Sequence, residues 1–175
     1  LHEKFIKYLK KDTVSDKIIL CDYRNGIFTD KFTKQVIKIS KIKGLTIYVD
    51  QQSTSNNPQL YKFMKSDYLI LNRCEYNKAF KQYNIRESNI KQNLKRLSVI
   101  LKIKNLVVKL GDQGSLIYNK DEYFKVKAYK SKGKVNTIGA GDFYLARFAT
   151  LENKNSKVRL DKANKFASKK IYNKL

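Results

Sequence analysis

The sequence predicts an α/β domain of the Rossmann-like, three-layer α/β/α kind, with a mostly parallel sheet that ends in an antiparallel hairpin. Three observations predict it. Short apolar runs at 17–21, 45–50, 68–71 and 106–110 alternate with segments of helical periodicity, and such alternation builds a parallel sheet covered by helices. Each run stops on polar residues or glycine, at the strand ends where α/β folds bind ligands. After Gly114 the order changes: 115–118 and 123–129 are strand-like and separated by the turn-like Asn119-Lys120-Asp121-Glu122, which reads as a hairpin.

Taken in order, residues 1–11 carry apolar side chains at Leu1, Phe5, Ile6, Tyr8 and Leu9, as the tail of a helix would. The run 17–21 is a buried strand closed by Asp22-Tyr23-Arg24-Asn25-Gly26. Thr29 can cap a helix over 30–43 whose inner face is Phe32, Val36, Ile37 and Ile39, with Gly44 as its stop. The strand 45–50 ends on Asp50 and a polar loop, 51–57; Pro58 then opens a short helix to about 65. The strand 68–71 ends at Asn72, helices are expected over 73–83 and 87–102, and the strand 106–110 is closed by Gly111. Beyond the hairpin, Ser131-Lys132-Gly133 is a link, and helices are expected over 142–151 and from 160 to the end. No internal repeat or low-complexity linker interrupts the pattern.

At 175 residues with 42% hydrophobic content, the chain can bury a core as one domain. No apolar run is long enough to span a bilayer, and lysines interrupt the first residues where a signal peptide would be apolar. A cytoplasmic protein is expected, in keeping with two cysteines, Cys21 and Cys74, that have neither zinc nor disulfide spacing. The formal charge of +23, from 38 Lys+Arg against 15 Asp+Glu, would ordinarily suggest nucleic acid. The lysines are scattered, however, without basic blocks or an aromatic-basic pattern, and the frequent Lys, Asn, Ile and Tyr with a single Pro and no Trp reflect AT-rich coding. A nucleic-acid surface is therefore not the expectation.

The most informative stretch is Val135-Asn136-Thr137-Ile138-Gly139-Ala140-Gly141-Asp142-Phe143. It follows the hairpin and opens a helical run, so Gly139, Ala140 and Gly141 leave backbone amides at a helix start, where the dipole is positive. An anion should bind there. Asp142 beside an anion does not attract it; a carboxylate at that point suits removal of a proton from a hydroxyl that attacks a phosphate. The bland reading is a tight turn followed by an acid that favours a helix N-terminus. The only histidine is His2, so no histidine-based mechanism has a candidate elsewhere. Asn72-Arg73-Cys74-Glu75 is nearly a capping box, and Lys109-Leu110-Gly111-Asp112-Gln113-Gly114 could be only a strand end with a two-glycine turn.

These motifs together resemble the ribokinase-like (PfkB) family of sugar and nucleoside kinases, whose signature Asp-Thr-x-Gly-Ala-Gly-Asp is matched here except at Asn136. The resemblance implies that the amides of Gly139, Ala140 and Gly141 form the anion hole for the transferred phosphoryl group and that Asp142 is the base. It implies that Asn72 and Glu75 support Mg2+ and the phosphates through water, and that Lys109, Gly111 and Gly114 line the nucleotide site, with Lys109 where a hydroxyl residue is usual. Asn164 falls on the helix expected near adenine. Asp22-Tyr23-Arg24-Asn25-Gly26 and Val49-Asp50-Gln51-Gln52 are most similar to the heptose-phosphate kinase branch, including the kinase halves of ADP-heptose synthases. By that likeness Asp22, Asn25 and Asp50 belong to the substrate or phosphate side. The branch usually has lysines where this chain has Asn25 and Gln52.

The function so implied is ATP-dependent transfer of the γ-phosphate to a sugar or sugar-phosphate hydroxyl, with heptose 7-phosphate as acceptor, Mg2+ and a monovalent cation as cofactors, and a homodimer at full length. Other readings stay open: a nucleoside or hexose kinase of the same fold, a non-catalytic basic nucleotide- or nucleic-acid-binding protein, or a degenerate kinase serving as a partner domain. The likeness covers nearly all of the chain but only the middle and C-terminal part of a family member. A fragment is therefore expected, lacking the first strands, most sugar-binding residues and the lid, with apolar sheet surface left exposed.

Overall fold

The computed structural model describes residues 1–52, 58–86, 89–120, 122–129, 136–152 and 154–172. A six-stranded sheet runs in the order β1-β2-β3-β4-β5-β6, with β1 Lys17–Asp22, β2 Thr46–Gln51, β3 Tyr68–Asn72, β4 Asn105–Lys109, β5 Ser115–Asn119 and β6 Glu122–Val126. The first four strands are parallel to one another. The pairs β4–β5 and β5–β6 are antiparallel, so the reversal begins at Gly114, one strand before the hairpin turn.

Crossover handedness decides where the helices lie. Those that connect parallel strands, α2 Asp30–Ile42 and the pair α3 Arg73–Gln82 and α4 Ile90–Leu101, cover one face together with α1 His2–Lys11. The last two, α5 Ala140–Thr150 and α6 Ser156–Ile171, cover the other. Strand alternation supplies both cores. Ile47, Val49, Leu69, Leu71, Leu106 and Val108 enter the first cluster, whereas Tyr48, Ile70 and Val107, at the intervening positions, enter the second. The result is the three-layer architecture expected from the sequence.

The local signals behave as their chemistry requires. Thr29 Oγ1 accepts from the Phe32 amide at 3.3 Å and starts α2; Asn72 Oδ1 accepts from the Glu75 amide at 2.9 Å while Glu75 Oε2 accepts from the Asn72 amide at 2.7 Å, completing a capping box on α3. α4 is capped by Asn89, whose Oδ1 accepts from the Gln92 amide at 3.0 Å.

Several boundaries differ from expectation. The helix expected after Pro58 is a single 3-10 turn, Leu60–Phe63. Its two ends, Leu60 and Phe63, are both buried, and a spacing of three suits that tighter turn. β6 stops at Val126, where the Val126 and Lys127 carbonyls accept from Asn164 Nδ2 at 3.3 and 3.2 Å instead of continuing a ladder. α6 begins at Ser156, ahead of the expected 160, because Asn155 Oδ1 caps it through the Val158 amide at 3.0 Å. The expected helix start at Glu87, the loop residues 53–57, Asp121 of the hairpin turn, the Ser131-Lys132-Gly133 link and Val135 lie outside the described residues.

Arg159 fastens the second layer. It is 3% exposed, and its guanidinium donates to Tyr68 OH at 2.7 Å, Tyr48 OH at 2.9 Å and, through Nε and Nη2, to the Phe148 carbonyl at 3.2 and 3.1 Å. It also lies 4.0 Å from the centre of the Phe148 ring. A buried charge is tolerated only when its donors are used and its environment is polarisable, and both conditions hold. No described helix is long and apolar enough to cross a membrane.

Candidate active site

A cleft of about 470 Å3 opens at the C-terminal ends of the parallel strands. One wall consists of strand ends: Cys21, Asp50, Asn72 and Lys109 close β1 to β4, with Glu75 just beyond. Register explains the selection. Cys21 pairs with Asp50 and Asn72 with Lys109, and by alternation all four take the parity of Tyr48, Ile70 and Val107, which face α5 and α6. The other wall is the start of α5, from Gly139 to Asp142.

On the helix wall, Gly139 has φ 74°, the left-handed conformation that glycine adopts most readily. This lets the chain turn into α5 with its amides toward the cleft. The Ala140 amide is not bare, as the sequence had suggested, but donates to the Thr137 carbonyl at 3.1 Å, because the turn before the helix brings that carbonyl within reach. Among the described residues, the amides of Gly139, Gly141 and Asp142 form no hydrogen bond. Asp142 is exposed, and its Oδ1 accepts from Tyr23 OH at 2.8 Å. That bond, with some burial, pushes the Tyr23 phenol up to about 12.

On the strand wall, Lys109 Nζ donates to Asp50 Oδ2 at 2.7 Å, in a pair whose side chains are 18% and 12% exposed. The same ammonium lies so close to the helix wall that a Cβ on Gly141 would stand 3.3 Å from it. Glu75 is 3% exposed and tied to the Asn72 amide, so the capping pair of α3 also lines the cleft. Burial pushes the Cys21 thiol up to about 11, with Asp50 and Asp142 adding to the shift.

Not every expected residue reaches the cleft. Asp22 is 4% exposed; alternation sends it to the opposite face, where Oδ2 accepts from Gln51 Nε2 at 2.9 Å and Oδ1 from the Arg24 amide at 2.8 Å. Asn25 is exposed in the turn after β1 and does not line the cleft. Asn164 and Gly114 line an adjoining cavity of about 140 Å3, which shares Lys109, Gly111, Ala140 and Gly141 with the cleft. Asn164 is largely committed to structure there: its Oδ1 accepts from Ser115 Oγ at 2.9 Å, and Tyr144 OH donates to the same Oγ at 3.0 Å. A Cβ on Gly114 would meet the Val126 carbonyl oxygen at 2.0 Å.

Two residues near the site were not singled out from sequence. Tyr23 stood next to the quoted acid in its motif, and its contact with Asp142 spans 119 residues. Lys170, on α6, brings Cε to 4.0 Å from a Cβ placed on Gly139, and one lysine among so many in that helix carries no sequence signal. Among the described residues, no three His, Cys, Asp or Glu side chains converge as a metal cage. Asp50 and Glu75 are already bonded, to Lys109 Nζ and to the Asn72 amide.

Comparison with known proteins gives a consistent picture. The sequence profile of the pfkB family carbohydrate kinases matches residues 26–174. Curated relatives include the bifunctional protein HldE of Campylobacter jejuni, 26% identical over 132 residues, which are 75% of this chain and 27% of that protein. The HldE of Aliarcobacter butzleri is 29% identical over 150 residues, 85% of this chain and 30% of that protein. Among solved structures, Arabidopsis thaliana ribokinase complexed with ribose and ATP superposes with a TM-score of 0.72 at 22% identity, over 95% of this chain and 52% of that one. Phosphofructokinase-2 from Escherichia coli (mutant Y23D, in that protein's own numbering) reaches 0.76 at 18% identity, over 99% and 56%. The chain thus spans under a third of the curated relatives it matches and about half of these structures.

Proposed function

Since the chain belongs to the pfkB family of carbohydrate kinases, we propose that residues 1–175 form the middle and C-terminal part of a cytoplasmic kinase domain that transfers the γ-phosphate of ATP to a hydroxyl of a sugar or sugar phosphate. The observation that carries this reading is the meeting, in one cleft, of the Asp142 carboxylate with the amides of Gly141 and Asp142, which have no partner among the described residues. Phosphoryl transfer asks a protein mainly for positioning and charge stabilisation. The acceptor oxygen bonds to the γ-phosphorus as the bond to the β–γ bridging oxygen breaks, and ADP leaves with that electron pair. Asp142 takes the hydroxyl proton, and the amides at the start of α5 donate to the phosphoryl oxygens.

Asn72 and Glu75 are the side chains to hold the waters of a magnesium ion, which would offset phosphate charge. The cavity beside Gly111, Gly114 and Asn164 is the nucleotide side. Heptose 7-phosphate is the proposed acceptor. Support comes from the likeness of 22–26 and 49–52 to the heptose-phosphate kinase branch and from the HldE proteins among the curated relatives.

The test is Asp142→Asn in the full-length protein. Turnover is expected to fall by about 10²–10⁴-fold, the usual worth of a general base, with the affinity for ATP nearly unchanged. Undiminished turnover overturns the role of Asp142.

A further inference from the structure

We infer that the Lys109 ammonium is the protein's cation for the transferred phosphoryl group, with Asp50 as its positioning residue. This rests on the kinase reading above and assigns the charge that the reading leaves unassigned.

Lys109 is the last residue of β4, beside Asn72 in the register, and its Nζ approaches Gly141, whose amide is unpaired among the described residues. The positive end of α5 and a full positive charge therefore converge on one point of the cleft. A phosphoryl group at that point would receive amide and ammonium donors from opposite walls.

Asp50, Glu75 and Asp142 line the cleft, whereas Lys109 is the one cationic side chain among its described lining residues. Lys170, the other described lysine near the helix wall, brings Cε to 4.0 Å from a Cβ placed on Gly139 but does not line the cleft. A triphosphate entering without Lys109 would face three carboxylates, and like charges at short range repel. The two places where the resembled branch carries lysine hold Asn25 and Gln52 here; Gln52 lines the cleft without a charge and Asn25 lies outside it. Lys109 puts a cation on β4, two strands away from the β2 end that bears Gln52.

An ammonium has three N–H donors, and Asp50 takes one at 2.7 Å. The remaining two have no acceptor among the described residues and can meet phosphate oxygens while Asp50 keeps the flexible side chain from folding away. A lysine without that anchor would lose rotamer freedom on binding. Asp50 acts through Lys109 and need not touch the nucleotide.

The experiment uses the full-length protein and calorimetric titration with ADP and with an ATP analogue whose β–γ link cannot be cleaved. Wild type is expected to prefer the analogue. Lys109→Met should reduce the analogue's affinity by roughly 10–100-fold, as for a lost hydrogen bond to a charged group, and leave ADP affinity little changed. Lys109→Arg should restore part of the preference. Because Lys109→Met alone strands the Asp50 carboxylate, the double variant Lys109→Met/Asp50→Asn removes both charges and should show the same loss. Asp50→Asn alone should weaken the analogue less than Lys109→Met does. Wild type without the preference, or either methionine variant that keeps it, overturns the proposal. Failure of the kinase reading is seen separately, as a wild type that transfers no phosphate to any sugar or sugar phosphate; if wild type and Lys109→Met transfer equally well, only the role of Lys109 falls.

Discussion

The two walls of the cleft are built on opposite plans. On the strand wall nearly every polar group is already engaged: Asp50 with Lys109, Asn72 with Glu75, and Asp22 behind them with Gln51. On the helix wall the amides of Gly139, Gly141 and Asp142 have no partner among the described residues. A committed hydrogen bond fixes geometry, and an open donor in a fixed place is ready to meet charge as it develops. The difference teaches that the strand ends act as the frame and the helix start as the tool.

Glycine substitutions offer the sharpest way to separate frame from tool. Gly114→Ala should have the largest effect. Its φ of 92° disfavours a side chain, and the added Cβ would collide with backbone at Val126, Lys127 and Ala128, so a loss of about 3 kcal/mol or more is expected from strain plus overpacking. Denaturant unfolding measures it; a loss below about 1 kcal/mol would mean that the β4–β5 turn is not part of a rigid frame.

Gly139→Ala meets only the flexible end of Lys170, at 4.0 Å. Its cost is then the left-handed backbone alone, about 1–2 kcal/mol, and its larger effect should be on turnover, because the α5 amides are aimed by that residue. If its stability loss equalled that of Gly114→Ala, the contrast between the walls would fail.

The smallest effect is expected from Tyr23→Phe, which removes the one bond that crosses from the β1 end to Asp142. The folded Tyr23 phenol titrates near 12 instead of its ordinary 10, so the folded state favours the protonated form. The stability from this source is fully present below pH 10 and is lost as pH rises from about 10 to about 12. Unfolding free energies followed over that window should fall more steeply in wild type than in Tyr23→Phe. Parallel curves would mean that Asp142 is not held from the strand side.

Much of the frame was legible in the sequence because it is local. Caps at Thr29 and Asn72 act within three residues, and the alternation of β2 to β4 divides the two cores residue by residue. The Gly-Ala-Gly-Asp start of α5 was legible for the same reason. What escaped was set by distance or parity. The Lys109–Asp50 pair joins residues 59 apart, and nothing in a lysine-rich sequence marks which lysine turns inward. Asp22 and Asp50 looked equivalent as acids at strand ends, yet Asp22 is in register with Gln51 and Asp50 with Cys21, so one faces away from the cleft and the other into it. The stretch after Pro58 misled because Leu60 and Phe63 fit a tight turn as well as a helix.

Arg159 has an influence that reaches beyond its own surroundings. It donates to the carbonyl of Phe148, in the last turn of α5, while the start of that helix, about 12 Å away along the axis, opens on the cleft. The negative pole of α5 thus meets a buried cation inside the protein, while its positive pole, with Asp142 in its first turn, faces the cleft that would receive phosphate.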